Sequence, residues 1–151
     1  MRYTLVITII ILIFAACKKD KFTTVPQIKF ESLSHNAVDL SPTSAVPVIT
    51  ISITDAEGDL GITSKDTAFI YMKNLLTNTF DSLPFPDLQT AGKSNFKADV
   101  DITISKVLKC RPIPGGGLHT DTLYFQIYVK DFAKNKSNVI TTPDPVYFTC
   151  R

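Results

Sequence analysis

Two hydrophobic patterns divide the chain. From Leu5 to Phe14 the residues LVITIIILIF form a nearly unbroken apolar run. From Pro26 onward apolar and polar positions alternate, a period that buries one face of a strand and wets the other. Ile49, Ile51 and Ile53 alternate with Thr50, Ser52 and Thr54 within Val46–Thr54. Within Phe96–Lys106, Val100, Ile102 and Ile104 alternate with Asp99, Asp101 and Thr103. Leu123, Phe125, Ile127 and Val129 alternate with Tyr124, Gln126, Tyr128 and Lys130 within Thr120–Lys130. The pattern predicts further strands over Gln27–Leu33, with Ala37–Leu40 as a continuation, over Thr67–Lys73, and over a short arm near Thr79–Leu83. A last strand, Asn138–Thr149, is broken by Pro143 and Pro145, which suits an edge, where a missing N–H costs little. No segment carries a sustained helical stripe, and no repeat is evident.

About seven short strands in roughly 125 residues predict an all-β domain, an immunoglobulin-like antiparallel sandwich. The Cys…Trp…Cys signature of antibody domains is absent, because the chain has no Trp, so a jelly roll or another sandwich stays open. A length of 151 residues, 44% of them apolar, supports one core and not two. The formal charge of +2 is small and scattered, which excludes the clustered basic footprint of a nucleic-acid binder.

The apolar run reads as a processing signal. Arg2 supplies the positive start, Leu5–Phe14 the apolar stretch and Ala15-Ala16 the small residues of a cleavage site. The run is shorter than the ~20 residues of a membrane span; an uncleaved anchor or a buried strand is the alternative. Three regions follow: a signal peptide over 1–16, a tether over 17–25 and the sandwich over 26–151. Phe14-Ala15-Ala16-Cys17 resembles the lipobox of bacterial lipoproteins, with Phe14 where Leu is usual. The resemblance implies lipidation of the Cys17 sulfur, anchoring by acyl chains at ~0.8 kcal/mol per buried CH₂, and attachment to the membrane through that lipid. Lys18 after the cysteine, rather than Asp, favours the outer membrane by the same resemblance.

A second resemblance spans nearly the whole chain. Ile53–Gly61, ITDAEGDLG, resembles the TDGDGDLG stretch of small lipoproteins of the Bacteroidota, and Tyr128–Asn138, YVKDFAKNKSN, resembles their YIKDRAGNKSN stretch. Ala56 and Glu57 replace Gly and Asp, and Lys134 replaces Gly. The resemblance implies an immunoglobulin-like envelope domain and no particular reaction.

Within ITDAEGDLG, Asp55, Glu57 and Asp59 fall at alternate positions with Gly58 and Gly61 to turn the chain. Oxygen donors on a turning loop suit a hard cation such as Ca²⁺, although the spacing is not that of an EF-hand. In the immunoglobulin topology the loop after Thr120–Lys130 shares that end, so Asp131 and Asn135 join the candidate set. The alternative is a solvated acidic turn whose Asp caps its own backbone. Cys110 and Cys150 fall together at the opposite end and, in an exported chain, form a candidate disulfide; two buried free thiols are the alternative. Pro112–Gly117 is a Gly-rich connector without the Lys-Ser/Thr of a phosphate loop. Leu83, Phe85 and Leu88 form a candidate apolar contact for a protein partner at the far end from the tether, or else tuck under the rim. His35 and His119 have no partner motif. No nucleophile elbow, zinc-protease or dinucleotide motif is found.

Three functions are compatible with this pattern. The leading one is a non-catalytic binding or structural module of the cell envelope, with an envelope protein or a glycan as partner. The second is a carbohydrate-binding module using Tyr71, Tyr124, Tyr128 or Tyr147 as stacking platforms. The third is a small hydrolase, which would require a deep pocket with a perturbed acid or His.

Overall fold

A computed structural model describes residues 22–41, 43–87 and 94–151. These residues contain no helix and fold as β1 (Gln27–Leu33), β2 (Ala37–Val38), β3 (Val48–Asp55), β4 (Phe69–Asn74), β5 (Phe80–Pro84), β6 (Phe96–Thr103), β7 (His119–Leu123), β8 (Phe125–Lys130), β9 (Ile140–Thr141) and β10 (Val146–Cys150). One sheet has the order β1-β3-β6; the second has the order β5-β4-β8-β9, and a third, β2-β10-β7, continues from it through the β7–β8 strand. Only the β2–β10 pair is parallel among the described pairs. The expected all-β sandwich is thus formed.

The alternation read in the sequence sets the core. Ile49, Ile51 and Ile53 of β3, with Ile28, Val100 and Ile102 on its neighbours, meet Ile70 and Met72 of β4 and Leu123, Phe125, Ile127 and Val129 of β7 and β8. Burying side chains of this size contributes about 1.5–3 kcal/mol each. The predicted strand Thr120–Lys130 is interrupted at Tyr124. Its partner carries Pro143-Asp144-Pro145 there, so the register changes from Ile127↔Ile140 to Leu123↔Val146. The Thr142 amide donates to the Phe125 carbonyl, and its hydroxyl accepts from the Phe125 amide, closing the ladder before the prolines.

One side of the sandwich is sealed by a side chain. Asn138 accepts from the Ile28 amide at 2.8 Å and donates to the Ile28 carbonyl at 2.9 Å, replacing a strand's backbone at the edge of β1. β1 starts beside the end of β3, with Gln27 opposite Thr54, and the Ala56 amide donates to the Thr23 carbonyl. The chain therefore enters at the end that carries the turn after β3, and Cys110 and Cys150 close the other end.

Candidate functional site

At the entry end, β3 delivers Asp55 into a fully buried position. Its Oδ2 accepts from the Gly58 amide at 2.7 Å and the Asp59 amide at 3.3 Å, and Gly58 takes φ +68°, a conformation glycine adopts without strain. Asp55 Oδ1 and Asp59 Oδ1 are both buried without a hydrogen-bond partner among the described residues. Burial raises the Asp55 carboxyl from 3.8 to about 6; the Gly58 amide opposes this and the adjoining Asp59 carboxyl adds to it. The β8–β9 loop docks on the same turn: the Phe132 amide donates to the Asp59 carbonyl at 3.0 Å, and the Ala133 amide to Asp59 Oδ2 at 3.4 Å.

Of the five residues expected here, Asp55 and Asp59 adjoin. Asp131 is fully buried and is bound by Asn135, through the backbone amide at 2.7 Å and the side-chain amide at 2.9 Å, which shapes the loop. Glu57 is exposed and takes no part. Lys134, the position where the resembling stretch has Gly, has φ +68°.

The outer face of the β5-β4-β8 sheet gathers aromatic residues that the sequence scattered. β4 presents Phe69, Tyr71 and Lys73; β8 presents Gln126, Tyr128 and Lys130; and β5 presents Phe80, Ser82 and Pro84, as the buried positions between them require. Register places Tyr71 opposite Tyr128, and their rings stack at 4.8 Å and 8°. Phe80, on the strand at the other side of β4, stacks with Tyr71 at 5.9 Å and 23°, and Phe69 lies 6.3 Å away, tilted. Lys130 Nζ lies 5.5 Å from the Tyr71 centroid and Lys136 Nζ 4.2 Å from that of Tyr128. Each such contact is worth about 0.5–1 kcal/mol at a solvated site. None of the nine outward positions is Asp or Glu. The face therefore offers ammonium, phenol and amide donors around an apolar row. Burial, with Tyr71 beside it, holds the Tyr128 phenol above its ordinary 10.0, so it stays protonated. Tyr124 and Tyr147 are exposed nearer the disulfide end and do not join the stack, so the tyrosine set assembles in part. Phe80 was not singled out by sequence: a lone aromatic in a weak strand shows its neighbours only once β4–β5 register is known.

At the far end Cys110 and Cys150 are bonded, with Cα atoms 5.8 Å apart. Buried Asp121 accepts from the Arg111 amide at 2.7 Å, pinning the connection from β6 to β7, and His119 Nε2 lies 3.6 Å from its Oδ2. His119, which has no partner motif in the sequence, meets the Gly117 carbonyl through Nδ1 at 3.1 Å, while its Nε2 has no hydrogen-bond partner among the described residues. His119, Asp121 and Cys150 cluster within metal-ligand distances, but the Cys150 sulfur is in the disulfide and offers no thiolate.

Of the two readings of Leu83 and Phe85, the tuck under the rim is the one formed, and their expected place at the far end is corrected. Phe85 is fully buried, its amide bonded to the Ala68 carbonyl, and Leu83 packs half-buried against the core. A six-carbon ring in a sandwich rim gains more by burial than by exposure. Both residues also lie toward the entry end, since Pro84 pairs with Phe69 and Phe69 with Lys130. Leu88 and Cys17 lie outside the described residues. No family model, no curated protein and no solved structure matches this chain.

Proposed function

We propose that the chain is a non-catalytic lipoprotein of the outer membrane, anchored through Cys17, whose β5-β4-β8 face binds an acidic polysaccharide. The Bacteroidota-type resemblance and the apolar leader support the anchor. The observation that carries the binding reading is the stack of Phe80, Tyr71 and Tyr128 bordered by Lys73, Lys130 and Lys136, with no carboxylate on the outward positions of the three strands. Sugar rings pack their apolar C–H faces on such a row while carboxylate and hydroxyl groups meet the ammonium and phenol donors. Because the inner rings cover one another, the free apolar surface is the ring edges and the outer side of Phe80, 52% exposed. That favours an extended chain lying along the row over one sugar in a pocket.

The test is affinity electrophoresis of the detergent-solubilised chain through gels containing polygalacturonate, alginate or neutral dextran. Retardation is expected with the acidic polymers, weakening with salt, and lost in Tyr71→Ala and in Lys130→Glu. Equal retardation by dextran, or none by either acidic polymer, would exclude this reading.

A further inference from the structure

We propose that Asp55 and Asp59 form the protein part of a Ca²⁺ site where the turn after β3 meets the β8–β9 loop. The carboxylates alone would not carry this. What points to a ligand is that Asp55 is fully buried and its Oδ1 has no donor, while the buried Oδ1 of Asp59 also has none among the described residues. A buried carboxylate oxygen without a partner is costly, and two in one turn more so, since each ionised group raises the cost of the other. Their second oxygens are committed to backbone amides: Asp55 Oδ2 to Gly58 and Asp59, and Asp59 Oδ2 to Ala133. The two Oδ1 atoms are thus held in place with coordination capacity unused.

The donor set selects the class of ion. Both donors are carboxylate oxygens, and neither His nor Cys stands in the turn, which favours a hard cation over zinc or copper. Ca²⁺ tolerates irregular geometry and completes its shell with water, whereas Mg²⁺ demands a near-ideal octahedron. Two carboxylates place the affinity at the weak end for extracellular modules, about 10⁻⁴–10⁻³ M. Asp59 also receives the Phe132 and Ala133 amides, so an ion on its Oδ1 would tie both loops together beside the point where the chain enters. The site shares no residue with the aromatic face, and its success or failure is independent of the glycan reading.

The experiment uses the full chain in neutral detergent after EDTA treatment, titrated with CaCl₂ or MgCl₂ and followed by melting temperature and by tyrosine-sensitised Tb³⁺ luminescence. Ca²⁺ at ten times its half-saturating concentration should raise the midpoint by about 5 °C, and Mg²⁺ by clearly less. Ca²⁺ should also displace Tb³⁺. Asp55→Asn alters a fully buried position and risks unfolding, so Asp59→Asn is the deciding variant. It should fold and lose the Ca²⁺ response, while Glu57→Ala keeps it. No response in the unmodified chain, or the same response in Asp59→Asn, would overturn the site and leave a proton shared between the two carboxyls as the occupant.

Discussion

Asp55 makes stability depend on pH in an unusual direction for a carboxylate. Its carboxyl is raised in the folded chain from 3.8 to about 6, mainly by burial, so the folded state holds the proton more tightly than the unfolded one. The stabilisation is fully present below the unfolded value and is lost as pH rises through about 6. Urea unfolding in EDTA should therefore show stability falling between pH 4 and pH 6, with Asp55→Asn flattening that fall; stability rising over the range would contradict the buried placement. Lys134 is a separate strain. A left-handed L-residue costs roughly 1–2 kcal/mol, partly offset by the entropy of the glycine that would replace it. Lys134→Gly should raise stability by about 0.5–1 kcal/mol in the same assay. Phe85 belongs to the core, and Phe85→Ala should cost about 3–5 kcal/mol.

Among the elements, the connection from β6 through β7 to β10 depends on a covalent tie and a buried acid. Cys110 and Cys150 close a loop with a sequence separation of 40, and the chain-entropy account gives that closure about 4 kcal/mol. Cys110→Ser with Cys150→Ser should lower the urea midpoint and, because the unfolded chain is no longer cross-linked, raise the m-value; an unchanged midpoint would show that the bridge adds nothing. The strands were largely legible in the sequence because their signal is local: Ile49, Ile51 and Ile53 declare a buried face by themselves. The break at Tyr124 was half legible. Pro143 and Pro145 announced an irregularity in their own strand, but its effect on the opposite strand follows only from register. The Tyr71–Tyr128 stack lies further out of reach, because nothing local places residue 71 opposite 128. The acidic turn was legible as a set of residues but not in its roles. Gly58 and the burial of Asp55 separate an inward pair from exposed Glu57, and Asn135 claims Asp131 for the loop.

For the whole molecule, the direction of chain entry determines how the proposed anchor would present the domain. Thr23 is already pinned by the Ala56 amide. Five residues, Lys18 to Phe22, can then reach at most ~18 Å, shorter than the ~29 Å available to Lys18–Val25 when extended. With Cys17 lipidated, the Asp55–Asp59 turn should stand near the bilayer and the Cys110–Cys150 end away from it. A spin-labelled lipid headgroup should broaden Gly58 and Ala133 amide signals more than those of Gly116 and His119; the reverse order would overturn this polarity. The β5-β4-β8 face runs along the flank between these ends. The most direct measurement is a map of amide chemical-shift changes in the ¹⁵N-labelled chain, held in nanodiscs, on adding polygalacturonate. Changes concentrated at Phe69–Lys73, Phe80–Ser82 and Gln126–Lys130, and reversed by salt, are the predicted result. An unchanged spectrum, or changes confined to the Asp55–Asp59 turn or to the Cys110–Cys150 end, would contradict the proposal that this protein is a glycan-binding module acting through that face.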